Sequence, residues 1–82
     1  MEEITLKNWP LGIKGYISRC LSPMRADVYR LLEMGLCKGA ECVVLHKGSH
    51  LHAMEIAVQG SRICIADELA AHFMVTSPKV KT

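Results

Sequence analysis

The fold is decided by the stretch Met54-Glu55-Ile56-Ala57-Val58-Gln59-Gly60-Ser61-Arg62-Ile63-Cys64-Ile65-Ala66. Over residues 54–59, large apolar residues alternate with other residues, which is the period of a strand with one buried face. Gly60-Ser61 then predicts a two-residue turn, because glycine accepts the positive φ that the first central position of a type II′ turn requires. Residues 62–66 form the return strand, so we expect an antiparallel hairpin.

Three more strands are expected around this hairpin, at residues 15–21, 41–47 and 73–75. The run 41–47 carries apolar groups on both faces, as in a strand packed between two others. Five strands of this length cannot make a two-sheet sandwich of normal size, whereas a small closed barrel removes the exposed edges. We therefore expect a mainly β fold, a small β-barrel with one or two short helices, the first helix inserted after the first strand.

The first helix is predicted over residues 23–34. Ser22 can cap the free amide groups at its start, and Pro23 suits the first helical position. Apolar residues recur at helical spacing and are expected to face the core: Met24, Val28, Leu31 and Leu32. Gly35 provides the stop, since glycine adopts the left-handed conformation that closes a helix. A second helix of one or two turns is predicted over 67–72, capped by Asp67.

Length and charge exclude several classes of protein. The 82 residues, half of them apolar, fit one domain, residues 1–76, followed by a polar tail, 77–82. The chain has ten basic and eight acidic residues. The basic residues do not form the stripe that nucleic-acid-binding proteins use to contact phosphates, so we do not expect a nucleic-acid partner. Apolar runs reach only four residues, whereas a membrane span needs about twenty. The start of the chain is acidic and no apolar segment follows it, so we expect a cytosolic protein without membrane insertion.

No motif predicts a catalytic site. Nucleotide-binding, zinc-protease and nucleophile-elbow patterns are all missing from the sequence, so we expect a protein that is not an enzyme. The four cysteines contain no C-x-x-C pair, and in the reducing cytosol they should be thiols that serve as small packing residues.

His50 and His52 are the candidate metal ligands. They lie in a histidine-rich loop between two strands, and an H-x-H pair on extended backbone projects both imidazoles to one side, where they can hold a transition metal. The alternative is a solvated polar loop, because no acidic residue or cysteine stands close enough to complete three or four ligands. We expect that no cofactor is required, and a weak divalent transition-metal contact stays open.

Met34 and Leu36 are the candidate partner-binding residues. They lie where the first helix ends, and apolar side chains at the end of an element can remain exposed for a partner. Packing in the core stays open as the alternative. Trp9 is expected to fold over the mouth of the barrel as a plug, and contact with a partner stays open as the alternative. Five glycines have structural roles: Gly12, Gly15, Gly35, Gly39 and Gly60.

The ordered set of these residues resembles the FeoA family, the small cytosolic component of bacterial ferrous iron transport. The resemblance runs from Leu6 to Val75 and rests on these segments: Trp9-Pro10-Leu11-Gly12 with Gly15 and Ile17, Arg30-Leu31-Leu32-Glu33-Met34-Gly35-Leu36-Cys37-Lys38-Gly39, Glu55-Ile56-Ala57-Val58-Gln59-Gly60-Ser61, and Glu68-Leu69-Ala70 ahead of Phe73-Met74-Val75. Departures from the family pattern lie at His52-Ala53-Met54, where relatives often carry Asp-Pro, at Ile65-Ala66, where they often have Leu-Arg, and at Lys38, which replaces a frequent proline.

The resemblance implies an SH3-like barrel and a non-enzymatic role in ferrous iron uptake. The implied partner is the cytosolic part of FeoB, the membrane iron(II) permease with a GTP-binding domain. A related barrel occurs in iron-dependent repressors, but this sequence shows no helix-turn-helix segment, so DNA is not an expected partner. Self-association stays open. The alternative function is direct metal binding, as an iron chaperone or iron sensor that uses His50 and His52, with a cysteine as an optional further ligand.

Overall fold

A computed structural model of the chain describes residues 3–48 and 52–77. It contains six strands: β1 Glu3–Thr5, β2 Gly15–Cys20, β3 Glu41–Lys47, β4 Ala53–Val58, β5 Ser61–Ala66 and β6 Phe73–Thr76. A 3₁₀ helix and two α-helices complete the fold: Leu6–Asn8, α1 Ala26–Glu33 and α2 Asp67–Ala70. The five predicted strands are confirmed, and none of their ends differs from the prediction by more than one residue.

The strands form one antiparallel sheet in the order β1-β6-β2-β3-β4-β5. Strand β3 lies between β2 and β4, as its two apolar faces predict. Strand β1 was not expected, since three residues are too few to show alternation; it is held by pairing with β6. Its Glu3 carboxylate also accepts a hydrogen bond from the Ser18 hydroxyl at 2.6 Å. Helix α1 therefore follows the second strand rather than the first, which corrects the predicted order within a fold class that is otherwise confirmed.

Strands β1 and β5 are the two ends of the hydrogen-bonded order. Helix α2 follows β5 directly and contacts both β5 and the 3₁₀ helix that comes after β1. A helix rather than a strand ladder thus bridges the two ends of the sheet, and covering an edge with a helix protects it as closure would.

The β4–β5 turn lies one residue earlier than predicted. Val58 pairs with Ser61, so the central residues are Gln59 and Gly60. Their φ angles are 52° and 80°. Positive φ at both positions defines a type I′ turn, whose twist suits a two-residue hairpin. The predicted and observed registers place the same apolar residues on the same face, so alternation could not distinguish between them.

The core is apolar and includes Trp9, which directly follows the 3₁₀ helix. Trp9 is only 4% exposed, and its indole N–H donates a hydrogen bond to the Ile13 carbonyl at 2.7 Å. The buried position predicted for Trp9 is therefore confirmed. Gly15 is required beneath it, since a Cβ at this position would lie 2.8 Å from the indole ring and 2.5 Å from Val75.

Helix α1 begins at Ala26, three residues later than predicted. Residues 22–25 form a turn in which the Arg25 amide donates to the Ser22 carbonyl, and the Ser22 hydroxyl lies 3.0 Å from Nδ1 of His72 instead of capping the helix. Met24 therefore precedes the helix and does not lie on the buried face of α1. At 93% exposure it is a surface residue, so its predicted place in the core is wrong.

Helix α2 ends two residues earlier than predicted. Asp67 is its first residue, and the capping position belongs to Ala66 with no side-chain cap. The His72 carbonyl accepts a hydrogen bond from the Leu21 amide at 2.7 Å, which draws the chain toward β6. In the segments that the structure describes, no helix has the length and apolar character needed to cross a membrane.

Candidate functional site

The C-terminal end of α1 is closed by two backbone hydrogen bonds. Gly35, with φ of 115°, donates to the Leu32 carbonyl, and Leu36 donates to the Leu31 carbonyl. This pair of bonds defines a Schellman motif, in which the residue after the glycine packs back on the last turn of the helix. Gly35 thus directs Leu36 inward.

The structure separates the two predicted partner residues. Leu36 is fully buried and belongs to the same core cluster as Leu31. It cannot touch a partner in the folded protein, so that prediction for Leu36 is wrong: the Schellman motif explains the burial. Met34 is 47% exposed and remains available at the surface.

Met34 lines an open groove between α1, α2 and β5, which we call the helical groove. It has a volume of about 470 Å³, within the range of clefts that hold ligands. Its lining residues come from all three elements and the end of α1: Ala26, Asp27, Arg30, Leu31, Met34, Cys64 and Leu69. Apolar side chains form its floor, and two charged residues stand at its rim.

The two charges of the helical groove differ in their surroundings. Asp27 accepts contacts from Nε and Nη2 of Arg25 at 2.8 and 3.0 Å. Desolvation opposes the ionised form of Asp27, yet the hydrogen bond and charge of Arg25 outweigh it, so the pKa of Asp27 lies below its usual value. Arg30 is exposed, and within residues 3–48 and 52–77 no acidic group pairs with it. The groove therefore carries one uncompensated positive charge.

Arg25 connects the start of α1 to α2 and to the chain just beyond it. Its guanidinium reaches Glu68 at 3.4 Å and Nε2 of His72 at 3.0 Å. The hydrogen bond to Asp27, followed by that to Glu68, raises the pKa of Arg25. A guanidinium only donates, so Nε2 of His72 must accept, and its Nδ1 then carries the proton that it donates to Ser22. This network links the start of α1 to α2, two walls of the helical groove.

The histidine loop does not form a metal centre within the described residues. His52 is exposed, with φ of 50°, while His50 lies outside the described residues. His46 on β3 lies 3.9 Å from Glu55. Across the ranges 3–48 and 52–77, no cluster of three or more metal-binding side chains occurs.

Known proteins resemble this small sheet with its helical groove. A family model described as the FeoA domain matches residues 4–77. The chain belongs to the FeoA family. This links it to ferrous iron transport and confirms the resemblance seen in the sequence. A comparison with curated proteins finds no match.

Solved FeoA structures share the fold. A crystal structure of the iron uptake regulatory protein FeoA is 29% identical, with a TM-score of 0.75, and the match covers 92% of this chain and 96% of that one. FeoA from Stenotrophomonas maltophilia, crystallised with zinc and described as an SH3 domain protein, is 23% identical, with a TM-score of 0.75 and 89% of each chain covered. The predicted SH3-like fold class is thus confirmed.

A metal-dependent repressor also contains this fold. The manganese-dependent transcriptional repressor in complex with manganese is 17% identical, with a TM-score of 0.83. The match covers 95% of this chain but only 38% of the repressor. At this identity the likeness shows the fold alone.

Sequence reasoning missed most of the groove that this FeoA-family chain presents. Arg30, Cys64 and Leu69 were not singled out as site residues, because they come together only through the packing of α1, β5 and α2. The Leu36 error was avoidable: an apolar residue directly after a helix-terminating glycine is the local signal of a Schellman motif.

The cysteines fall into two groups. Cys42 is buried and Cys20 is half-buried, as the packing interpretation predicts, but Cys37 and Cys64 are exposed. Burial, with a smaller contribution from the Glu41 carboxylate, raises the pKa of the Cys42 thiol to about 11. Cys42 is therefore an inert core residue, while Cys64 is an accessible thiol in the helical groove.

The predicted structural glycines take different roles in the family fold. Gly12, Gly35, Gly39 and Gly60 have positive φ angles. Gly15 does not, and instead permits the close approach of Trp9 and Val75.

Proposed function

We propose that the protein is a non-enzymatic accessory factor of ferrous iron uptake. It acts in the cytoplasm by direct contact with the cytosolic part of the FeoB permease. The observation that carries this proposal is membership of the FeoA family over residues 4–77. Two FeoA relatives support it through their descriptions, one as an iron uptake regulatory protein and the other in connection with ferrous iron transport activation.

The structure supports a role through contact because it leaves an apolar surface open. Met34 is half exposed beside the half-buried Leu69 in the helical groove. Apolar side chains in a cleft, next to a charged rim, are typical of protein contacts. Met34 therefore stays the proposed contact residue, whereas Leu36 supports the surface from beneath.

Titration calorimetry with the purified FeoB cytosolic part tests the proposal. We expect saturable binding with one protein per permease domain. A heat-denatured sample of the protein controls for non-specific heats. If the folded protein shows no binding at concentrations up to the millimolar range, the proposed contact is wrong.

Metal binding is the alternative function, and the zinc complex of the Stenotrophomonas maltophilia FeoA favours testing it. Under this alternative, His50 and His52 hold iron(II) as cargo or signal. An anaerobic titration of the reduced protein with iron(II) should then raise its melting temperature, since a ligand that binds only the folded state stabilises it by RT ln(1 + [L]/Kd). The variant His50→Ala/His52→Ala must lose that shift; our proposal predicts no shift for either protein.

A further inference from the structure

We infer that the helical groove docks an apolar peptide segment that carries a carboxylate. The inference rests on the proposed function, and places the segment in the cytosolic part of the permease. It concerns what the groove recognises rather than whether the two proteins meet. Three features of the groove carry it: its apolar floor, the charge of Arg30, which has no acidic partner among the described residues, and the network that links its walls.

The floor of the groove suits an apolar side chain. Leu31 and Leu69 belong to or pack against the core cluster, so they form a firm base. Met34 stands beside them with nearly half of its surface exposed. Its unbranched thioether side chain can adapt to different apolar groups, a common property of methionine at binding surfaces. An inserted side chain would remove this apolar surface from water.

The rim selects the charge of the segment. Asp27 already has its charge matched by Arg25 at 2.8 Å. Arg30 has no acidic partner among the described residues and is exposed at the groove. A guanidinium recognises a carboxylate through two parallel hydrogen bonds, which a lysine cannot reproduce. An acidic residue next to the apolar anchor is therefore the complement of this surface.

A side-chain network links the walls of the groove in the unbound protein. Arg25 contacts Asp27 on α1 and Glu68 on α2, and His72 just after α2 accepts a third bond from it. Walls that are already linked lose less conformational entropy on binding than walls that must be brought together. This arrangement favours a segment of defined shape over a non-specific apolar contact.

Charge reversal at Arg30 tests the recognition of a carboxylate. Binding of the FeoB cytosolic part is compared for the wild type, Arg30→Glu and Lys38→Glu. The control changes net charge by the same amount at an exposed lysine outside the groove. We expect Arg30→Glu to weaken binding about tenfold, and Lys38→Glu to weaken it less than twofold. Equal weakening by both variants would mean general charge attraction and would overturn the inference.

Substitution of Met34 tests the apolar floor. Met34→Asp is compared with Met24→Asp, a methionine that is more exposed but does not line the groove. We expect about thirtyfold weaker binding for Met34→Asp, the effect of a hot-spot residue, and wild-type binding for Met24→Asp. Thermal melting shows whether each variant is folded. If Met34→Asp is unstable, Met34→Gln and Leu69→Ala replace it, and both should weaken binding.

The thiol of Cys64 reports occupation of the groove directly. Both Cys64 and Cys37 are exposed, but only Cys64 lines the groove. The rates at which N-ethylmaleimide modifies the two thiols are measured by mass spectrometry, with and without the FeoB cytosolic part. We expect protection of Cys64 alone when the partner is bound.

Three other outcomes would overturn the inference, and the measurements distinguish them from one another. Binding that leaves Cys64 unprotected and is unaffected at Arg30 and Met34 shows that the permease contacts another surface, while the proposed function stands. Protection of Cys64 by concentrated protein alone assigns the groove to a second copy of the chain. The absence of any binding by the wild type contradicts the proposed function and the docking site together.

Discussion

The amide of Leu36 donates a hydrogen bond to the carbonyl of Leu31 at 3.1 Å, and both side chains lie in the core. This link reverses the chain at the end of α1 and places Leu36 under the helix while Met34 stays on the surface. Within three residues the chain therefore passes from the candidate contact surface, at Met34, to the core, at Leu36. We therefore expect substitutions at Leu36 to lower stability, and substitutions at Met34 to weaken binding with little effect on stability.

Leu36→Ala should destabilise the fold strongly, because it removes a fully buried side chain from the core. The expected loss in the free energy of unfolding is about 2–5 kcal/mol. Met34→Ala, at the half-exposed neighbour, should cost about 0.5 kcal/mol or less. Urea unfolding followed by circular dichroism measures both. Equal losses would contradict the assignment of Leu36 to the core.

Gly35→Val should also destabilise the fold. Gly35 has φ of 115°, which β-branched residues rarely adopt, and we expect a cost of about 1–3 kcal/mol. Gly35→Asn is the matched control, since asparagine tolerates positive φ better and should cost less. A melting temperature for Gly35→Val as high as that of the asparagine variant would argue against the Schellman closure.

Gly15→Ala should disturb the packing of Trp9. The added Cβ would lie 2.8 Å from the indole and 2.5 Å from Val75, so one of them must move. We expect a loss of about 1–3 kcal/mol from overpacking, with tryptophan emission shifted to longer wavelength. Gly39→Ala is the comparison, because a Cβ there meets no atom within 4 Å and only its φ of 90° is unfavourable. Unchanged emission in Gly15→Ala would contradict the plug.

The free energy of unfolding should fall at alkaline pH because the buried Cys42 thiol ionises there. Burial raises the pKa of its thiol to about 11 in the folded state, above the ordinary value of 9.0. The folded state therefore holds this proton more tightly than the unfolded state, so its stabilising effect is complete below pH 9 and is lost as the pH rises toward 11. Stability measured from pH 8 to 11 should decline more steeply for the wild type than for Cys42→Ala. Parallel curves would show that Cys42 does not contribute.

Local pattern was sufficient for strands β2 to β6 and for the end of α1, but not for the three-residue β1. Alternation located β4 and β5, and Gly35 located the last turn of the helix, since both signals depend on neighbouring residues alone. The start of α1 was misplaced because Ser22 binds His72, fifty residues away. No local rule reveals that contact.

The candidate site was predicted only in part. Met34 was identified because it lies at the end of an element, but Arg30 gave no signal of its own. Its significance depends on Asp27 being paired with Arg25 and on Leu69 packing nearby, and both are properties of the folded chain. The metal-binding hypothesis for His50 and His52 stays a prediction, since His50 falls outside the described residues.

Ferrous iron uptake in cells tests the central claim most directly. Cells that lack their own copy of the gene are complemented with the wild type, Met34→Asp or Met24→Asp, and uptake of labelled iron(II) is measured under anaerobic conditions at equal protein levels. The account predicts that the wild type and Met24→Asp restore uptake, whereas Met34→Asp does not. Full restoration by a folded Met34→Asp protein would contradict it.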